Sequence, residues 1–279
     1  MRLKIRELLE NVEGKSEFNF VTEIAEQLPL WVLCEMMGIP ESDRSKIRDL
    51  VNNLTDASIQ QDPNNSFQIW VNYMELFKMG RDMIEERRKK PTDDLMSVVA
   101  NTKVEGGDLP PELLDGFFLL MVIAGNETTR NTLTGGLMAL TENPSEREKL
   151  LKDPSLIANA TDEMLRWVTS VIYFRRTATK DTNIRGQDIK AGDKIIMWYG
   201  SANRDEDIFI DGHLFKVDRQ NAKKHLAFGA GEHLCLGNRL GHMQIRILFE
   251  ELLKRFPNIH SVAEPCLLYT SDAADDDVR

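Results

Sequence analysis

Helical periodicity, repeatedly stopped by proline, is the feature that most restricts how this chain of 279 residues can fold. Apolar residues recur at three- and four-residue spacing, which is typical of amphipathic helices. One helix is predicted over residues 70–90, ended by Pro91, and another over residues 155–167. The longest periodic run covers residues 113–140 and contains a polar interruption at residues 125–129. Most of the chain is therefore expected to be helical.

Alternating patterning follows the helical part. Residues 175–179 and 194–199 are predicted as strands, separated by turns at Gly186 and at residues 191–193. The polar stretch 200–224 shows neither helical periodicity nor the alternation typical of strands. A last long helix is predicted before Pro257. We therefore expect a mainly α protein with a small β-sheet in its second half.

The charge of the chain argues against nucleic acid as a partner. Asp and Glu number 45 against 35 Lys and Arg, which gives a formal charge of −10. A chain that tracks phosphates needs the opposite balance. The composition, 42% hydrophobic and 29% charged, is that of an ordinary folded protein.

Three observations favour a cytoplasmic protein with no membrane span. The longest wholly apolar stretch is FFLLMVIA, far below the roughly 18 residues that a membrane-spanning helix needs. The first fifteen residues are charged throughout and contain no secretory signal. Three cysteines without paired spacing make a disulfide framework improbable.

The most specific segment is FGAGEHLCLG, from Phe228 to Gly237, which leads into the last helix. Its glycines allow a tight backbone path, with Gly229 at the first turn, and backbone N–H groups can converge on the sulfur of Cys235. The dipole of the following helix favours a thiolate, which makes Cys235 a candidate metal ligand. A cysteine taken alone is more often an inert core residue.

Two further motifs stand at separate places in the chain. Glu163 and Arg166 lie three residues apart, so they share one face of the predicted helix and can pair. Such pairs are common on solvated helices, but this one precedes Cys235 by 72 residues. The segment AGNETT, residues 124–129, interrupts the long helix. One interpretation is a local distortion in which the Thr128 hydroxyl bonds a carbonyl one turn back.

Together the three segments resemble the cytochrome P-450 family, in its soluble bacterial type, from residue 1 to about residue 262. The resemblance implies the fold of that family and haem b, iron protoporphyrin IX, as the cofactor. It also implies that Cys235 is the axial thiolate ligand of the iron. Phe228 would pack near the sulfur, Gly229 would shape the loop, and His233 would meet a haem propionate.

The resemblance also gives a second interpretation of AGNETT. In the family this segment lies over the haem, where Ala124 and Gly125 leave room for dioxygen. Glu127 and Thr128 would steer water and protons to the oxygen. Two protons and electron donation from a thiolate are what O–O cleavage requires.

Three arginines receive roles from the same resemblance. Arg166, paired with Glu163, would meet Arg219 of the polar stretch, and these three side chains would hold the cysteine loop in shape. Arg176 occupies the position of an arginine that binds a haem propionate. Arg175 is an adjacent competitor, because only one of two successive strand residues can point at the haem. We favour Arg176.

One departure from the family pattern falls in the polar stretch. The acid at Asp211 is usually followed by proline, whereas this chain has Gly212.

The implied activity is a haem-thiolate monooxygenase that hydroxylates a hydrophobic small molecule, such as an alkane, a terpene or a steroid-like compound. Dioxygen is the oxidant, and two electrons come from a ferredoxin and a ferredoxin reductase. The chain itself carries no flavin or nicotinamide fingerprint.

Two alternatives stay open. A peroxygenase or dehydratase on the same fold would not need the Glu127 and Thr128 pair. A non-catalytic haem-binding or electron-transfer module would keep the cysteine loop and tolerate loss of that pair.

The match begins well inside the family fold, so we expect an amino-terminally truncated fragment. Residues 1–262 would form a partial domain, the carboxy-terminal two-thirds of the fold, that is inactive alone. Residues 263–279, with the run TSDAADDDVR, continue no pattern and are expected to be a non-native or disordered tail.

Overall fold

The computed structural model describes residues 1–55, 59 and 62–262, and every structural statement below concerns these residues. The predicted tail at 263–279 lies outside them. The backbone divides into two compact units. The first consists mainly of residues 16–127, and the second combines residues 2–15 with residues 128–261. Helix α1, Arg2–Glu10, belongs to the second unit.

The first unit is helical apart from one short hairpin. Its π-helical turn, Val21–Ala25, precedes helices α2 (Gln27–Met37), α3 (Glu41–Thr55), α4 (Ser66–Lys89), α5 (Leu95–Asn101) and α6 (Pro111–Ala124). The hairpin strands are β1 (Lys103–Val104) and β2 (Gly107–Asp108). The helix predicted over residues 70–90 is therefore α4, which starts four residues earlier than expected.

Close packing of α4 against α6 forms part of the core of the first unit. Phe118, Leu76 and Met96 are fully buried there. A Cβ atom at Gly80 would lie 2.8 Å from the ring of Phe118, so this contact requires glycine on α4. Apolar side chains at helical spacing thus meet across the two helices, as the periodicity predicts.

The second unit contains helices and two small antiparallel sheets. Its remaining elements are α7 (Glu127–Glu142), α8 (Pro144–Lys152), α9 (Ile157–Val168), β3 (Tyr173–Thr177), β4 (Thr182–Ile184), β5 (Gln187–Ile189), β6 (Lys194–Trp198), α10 (Tyr199–Ala202) and α11 (Asn238–Arg255). A 3-10 turn, Pro154–Leu156, precedes α9, so this helix begins two residues later than expected.

Strand pairing in the second unit is local. β3 pairs with β6, and Arg176 lies opposite Ile195. β4 and β5 form a tight hairpin in which Arg185 and Gly186 have φ values of 50° and 85°. Two successive residues of positive φ are typical of a type I′ turn, which suits the twist of a two-residue hairpin.

Helix α1 is tied to α11 by charged side chains. Arg2 and Arg6 both bind Glu251, with Arg6 Nε 2.8 Å from Glu251 Oε2. Hydrogen bonds from Arg6, against the effect of burial and with help from Arg2, lower the pKa of Glu251 to about 2. This ionised carboxylate therefore fixes the first helix of the chain to the last one.

Among the described helices, none has both the length and the hydropathy that crossing a bilayer would require.

Candidate active site

The cysteine loop precedes α11 and presents its thiol to solvent. Cys235 is exposed, and its backbone N–H donates to the carbonyl of Phe228 at 2.9 Å. Between them, Gly229 and Gly231 have φ values of 70° and 68°. Side-chain-bearing residues rarely adopt this left-handed region, so the glycines allow the chain to turn back and close the loop.

Hydrogen bonds after the cysteine fix the loop to the start of α11. The carbonyl of Cys235 accepts from the backbone N–H of Asn238 at 3.3 Å and from its Nδ2 at 2.8 Å. A Cβ atom at Gly237 would lie 4.0 Å from the sulfur. The thiol is thus held next to the first turn of an 18-residue helix, whose amino-terminal dipole favours a negative charge.

The two cysteines within the described residues have opposite environments. Cys34 is fully buried on α2, and burial raises the pKa of its thiol to about 11. At neutral pH that thiol stays protonated. Cys235 is exposed at its loop, which leaves it as the accessible sulfur.

Apolar side chains flank the exposed thiol. Leu236 is 80% exposed and Leu234 is 52% exposed, one on each side of Cys235. These two leucines place apolar surface directly beside the thiol.

Aromatic contacts connect the sheet to the cysteine loop within the second unit. The ring centroids of Phe174 and Tyr199 are 6.0 Å apart. The hydroxyl of Tyr199 lies 3.4 Å from the position of a Cβ atom at Gly229. The guanidinium carbon of Arg176 lies 5.9 Å from the Phe174 ring, whereas Arg175 is on the opposite face of the strand. The face that carries Arg176 is therefore the one linked to the loop.

Glu163 on α9 is the centre of a buried charged cluster. Glu163 and Arg166 are fully buried, and Arg219 is 6% exposed. Arg166 donates to both carboxylate oxygens at 2.7 Å, and Arg219 Nε donates to the same oxygens at 3.1 and 3.0 Å. The backbone N–H of Lys216 adds a fifth hydrogen bond at 2.9 Å. The resemblance anticipated this meeting of Arg219 with the pair.

The cluster carries one more positive charge than negative charge, and backbone carbonyls compensate for it. Both guanidinium groups also donate to carbonyl oxygens of the polar stretch. These carbonyls belong to Asn203, Ile210, Asp211, Gly212 and Leu214. Buried charges need such partners, so the cluster holds the polar stretch in a fixed path.

Gly212, the departure from the family pattern, has a steric reason here. A Cβ atom at this position would lie 2.5 Å from the carbonyl oxygen of Arg204. The carbonyl of Gly212 accepts from Arg166 at 2.7 Å. This path of the polar stretch therefore admits glycine only.

The polar segment AGNETT divides the long helix as the sequence indicates. Helix α6 ends at Ala124 and α7 begins at Glu127. The N–H of Gly125 donates to the carbonyl of Met121 at 3.1 Å, and a Cβ atom at Gly125 would lie 2.9 Å from that oxygen. Asn126 is fully buried, and its side-chain amide finds no hydrogen-bond partner among the described residues.

The carbonyl of Thr128, in the first turn of α7, accepts hydrogen bonds from two hydroxyl groups. Thr132 Oγ1 donates at 2.8 Å and Ser170 Oγ donates at 3.0 Å. Thr132 therefore back-bonds to a carbonyl one turn earlier on the same helix. Glu127 and Thr128 are both partly exposed.

His233 closes the 3-10 turn Gly231–His233 in the cysteine loop and is exposed. Phe228 packs against His225 and against α11. Its ring contacts His225, with centroids 5.6 Å apart, and lies 3.8 Å from the Cβ position of Gly241. Sequence reasoning missed His225 because nothing in its spacing marks it.

Comparison with known proteins agrees with this arrangement of motifs. The family model for cytochrome P450 matches residues 43–265, and the chain belongs to that family.

Two curated relatives have names that describe their reactions. A methyl-branched lipid omega-hydroxylase of Mycobacterium tuberculosis is 38% identical over 90% of this chain and 59% of its own length. A steroid C26-monooxygenase of Mycolicibacterium smegmatis is 37% identical over 90% of this chain and 63% of its own length. The chain thus spans about three-fifths of the length of these relatives.

A solved structure has the same fold. The cytochrome P450 CYP268A2 of Mycobacterium marinum, in complex with pseudoionone, superposes with a TM-score of 0.87 at 36% identity. The match covers 93% of this chain and 64% of that one.

Proposed function

We propose that the protein is a haem-thiolate monooxygenase that hydroxylates a hydrophobic small molecule. The exposed thiol of Cys235 carries the proposal, because it projects from a glycine-shaped loop between two exposed leucines. Cys235 would hold haem b by this thiolate, and the bound haem would supply the oxygen-activating chemistry that C–H hydroxylation needs.

The residues of the loop and sheet suit that cofactor. Cys235 offers one soft sulfur ligand, and Leu234 and Leu236 offer apolar contact to a flat macrocycle. Arg176 and His233 would meet the propionates as cation and hydrogen-bond donor. The Glu163 cluster would keep the polar stretch and the cysteine loop in the shape that holds the ligand.

Two residues of the interrupted helix would transfer protons. Glu127 is an acid that exchanges protons with water, and the Thr128 hydroxyl can both donate and accept. The small residues Ala124 and Gly125 would leave space for dioxygen beside the helix.

Electrons and substrate come from outside the chain. We infer a ferredoxin and its reductase as the donors, and the cytoplasm as the location. The two named relatives act on a branched lipid and a steroid, and the solved structure holds pseudoionone. We therefore infer a lipid, terpene or steroid-like substrate for this chain.

Isotope incorporation tests the proposal. The assay would use a chimaera, the completed protein, in which the amino-terminal segment of the M. smegmatis relative precedes this chain, and it would be supplied with haem, ferredoxin, reductase and NADPH. With a steroid and branched-lipid panel under ¹⁸O₂, we expect one labelled oxygen atom in the hydroxylated product. Haem uptake with no labelled product from any panel member would instead favour an electron-transfer module.

Thr128→Ala should separate haem binding from proton delivery. We expect unchanged haem content but at least about tenfold less product per NADPH consumed, because positioned acid–base groups contribute factors of 10² or more. Thr134→Ala is the matched control, since Thr134 also lies on α7 and back-bonds to Arg130. Unchanged coupling in Thr128→Ala would leave helix distortion as the role of Thr128.

Arg176→Ala and Arg175→Ala form a matched pair on β3. A hydrogen bond to a charged group contributes about 1.5–3 kcal/mol, so we expect roughly tenfold or greater loss of haem affinity for Arg176→Ala. Arg175→Ala should retain haem as the unsubstituted protein does. Titration of haem into the haem-free proteins measures both. The reverse result would assign the propionate contact to Arg175.

A further inference from the structure

Asp162, next to Glu163 on α9, lies near both the segment entering the cysteine loop and the helix that follows it. Its Oδ1 is 3.7 Å from His225 Nε2 and 3.3 Å from His242 Nε2. These three side chains and Phe228 line a cavity of about 470 Å³. The proposed function gives no role to this group.

His225 connects the Asp162 carboxylate to the loop. Its Nδ1 accepts a hydrogen bond from the N–H of Ala227 at 3.2 Å, so the hydrogen of a neutral ring is on Nε2, facing Asp162. The His225 ring contacts the Phe228 ring. The carbonyl of Phe228 accepts from the N–H of Cys235. Three contacts therefore lead from Asp162 to the backbone of the cysteine.

His242 connects the same carboxylate to the other end of the loop. It lies on α11, which begins at Asn238. The neighbouring Gly241 faces the Phe228 ring, 3.8 Å from its Cβ position, and donates its N–H to the carbonyl of Gly237 at 2.8 Å. Both ends of the loop thus meet the carboxylate through one histidine each.

The electrostatics of the cavity favour an ionised Asp162. Burial opposes ionisation, but the interactions with His225 and His242 outweigh it and lower the pKa of Asp162 to about 2. The other charged side chains that line the cavity, Lys223 and Arg239, are cationic. A carboxylate among such neighbours attracts both rings, whereas a neutral amide would hold them more weakly.

We propose that Asp162 is a positioning residue that fixes the cysteine loop from both ends through His225 and His242. Successive residues of α9 then hold two different segments, because adjacent helix positions point about 100° apart. Glu163 holds the polar stretch, and Asp162 holds the loop. The consequence for the sulfur rests on the proposed function, whereas the order of the loop does not.

Amide hydrogen exchange on the haem-free completed protein tests the order of the loop. Loss of the carboxylate charge that both histidines face should increase exchange of residues 226–236 about tenfold in Asp162→Asn. Residues 173–177 of β3 should exchange at unchanged rates. Asp162→Glu should restore part of the protection, and Glu148→Gln, at an exposed pair on α8, is the control.

A double-mutant cycle tests the route through His225. His225→Gln should accelerate exchange of the loop about tenfold alone, but less than about threefold when Asp162 is already asparagine. Equal factors in both backgrounds, or faster exchange spread evenly over the second unit, would overturn the positioning role.

The haem-bound protein gives a separate readout. In Asp162→Asn, the red-shifted Soret band of the reduced carbonyl complex should convert to the unshifted form about tenfold faster, because the loop no longer holds the sulfur in place. If the unsubstituted protein lacks that band, the proposed function fails while the exchange data still decide the role of Asp162. If it has the band and Asp162→Asn retains it equally long, the positioning role fails alone.

Discussion

Replacing Cys235 with serine is expected to abolish the red-shifted Soret band of the reduced carbonyl complex in the completed protein. A serine hydroxyl at this loop does not ionise at neutral pH and cannot donate electron density as a thiolate does. Absorption spectra of the reduced protein under carbon monoxide measure the effect. Haem content from a pyridine haemochromogen assay separates changed ligation from lost binding.

The matched control is Cys34→Ala. Cys34 is buried on α2, and burial raises the pKa of its thiol to about 11, so it supplies no thiolate. This variant should keep the red-shifted band even if packing lowers its stability. A band that survives Cys235→Ser but disappears in Cys34→Ala would contradict the assignment of the ligand.

Glu163→Gln should cause a large loss of stability in the second unit. The glutamine keeps the shape of the side chain but leaves Arg166 and Arg219 buried without their carboxylate. Breaking a buried ion pair by removing one partner costs about 3–5 kcal/mol. The midpoint of thermal unfolding should therefore fall by roughly 10 °C.

Thermal unfolding followed by circular dichroism measures the effect of Glu163→Gln, with Glu148→Gln as the control. Glu148 pairs with Lys152 at the exposed surface of α8, so its charge contributes little. Equal midpoints for the two variants would show that the buried cluster is not a source of stability.

The helix break at residues 125–126 could be predicted because its signal is local. Apolar periodicity is interrupted at residues 125–129, and within this stretch one helix ends at Ala124 and the next begins at Glu127. The prediction for strand β3 was shifted by two residues, because the strand spans residues 173–177 and not 175–179. After Thr177, Ala178 exchanges hydrogen bonds with the turn at Gly192 and Asp193, which no strand pattern reveals.

The side chains around the cysteine loop could be predicted only in part. The family resemblance led to Glu163, Arg166 and Arg219, but the carbonyls that balance their charge depend on the path of the polar stretch. Asp162 and His225 are 63 residues apart and carry no motif. Their meeting depends on how α9 lies beside the loop, which is a property of the folded unit and not of local spacing.

The absorption spectrum of the reduced, carbon monoxide-bound completed protein tests the central claim most directly. A strongly red-shifted Soret band, with one haem per chain, is the predicted result, because only a thiolate at Cys235 supplies the necessary electron donation. An unshifted band at full haem occupancy under native conditions would contradict haem-thiolate ligation at this loop.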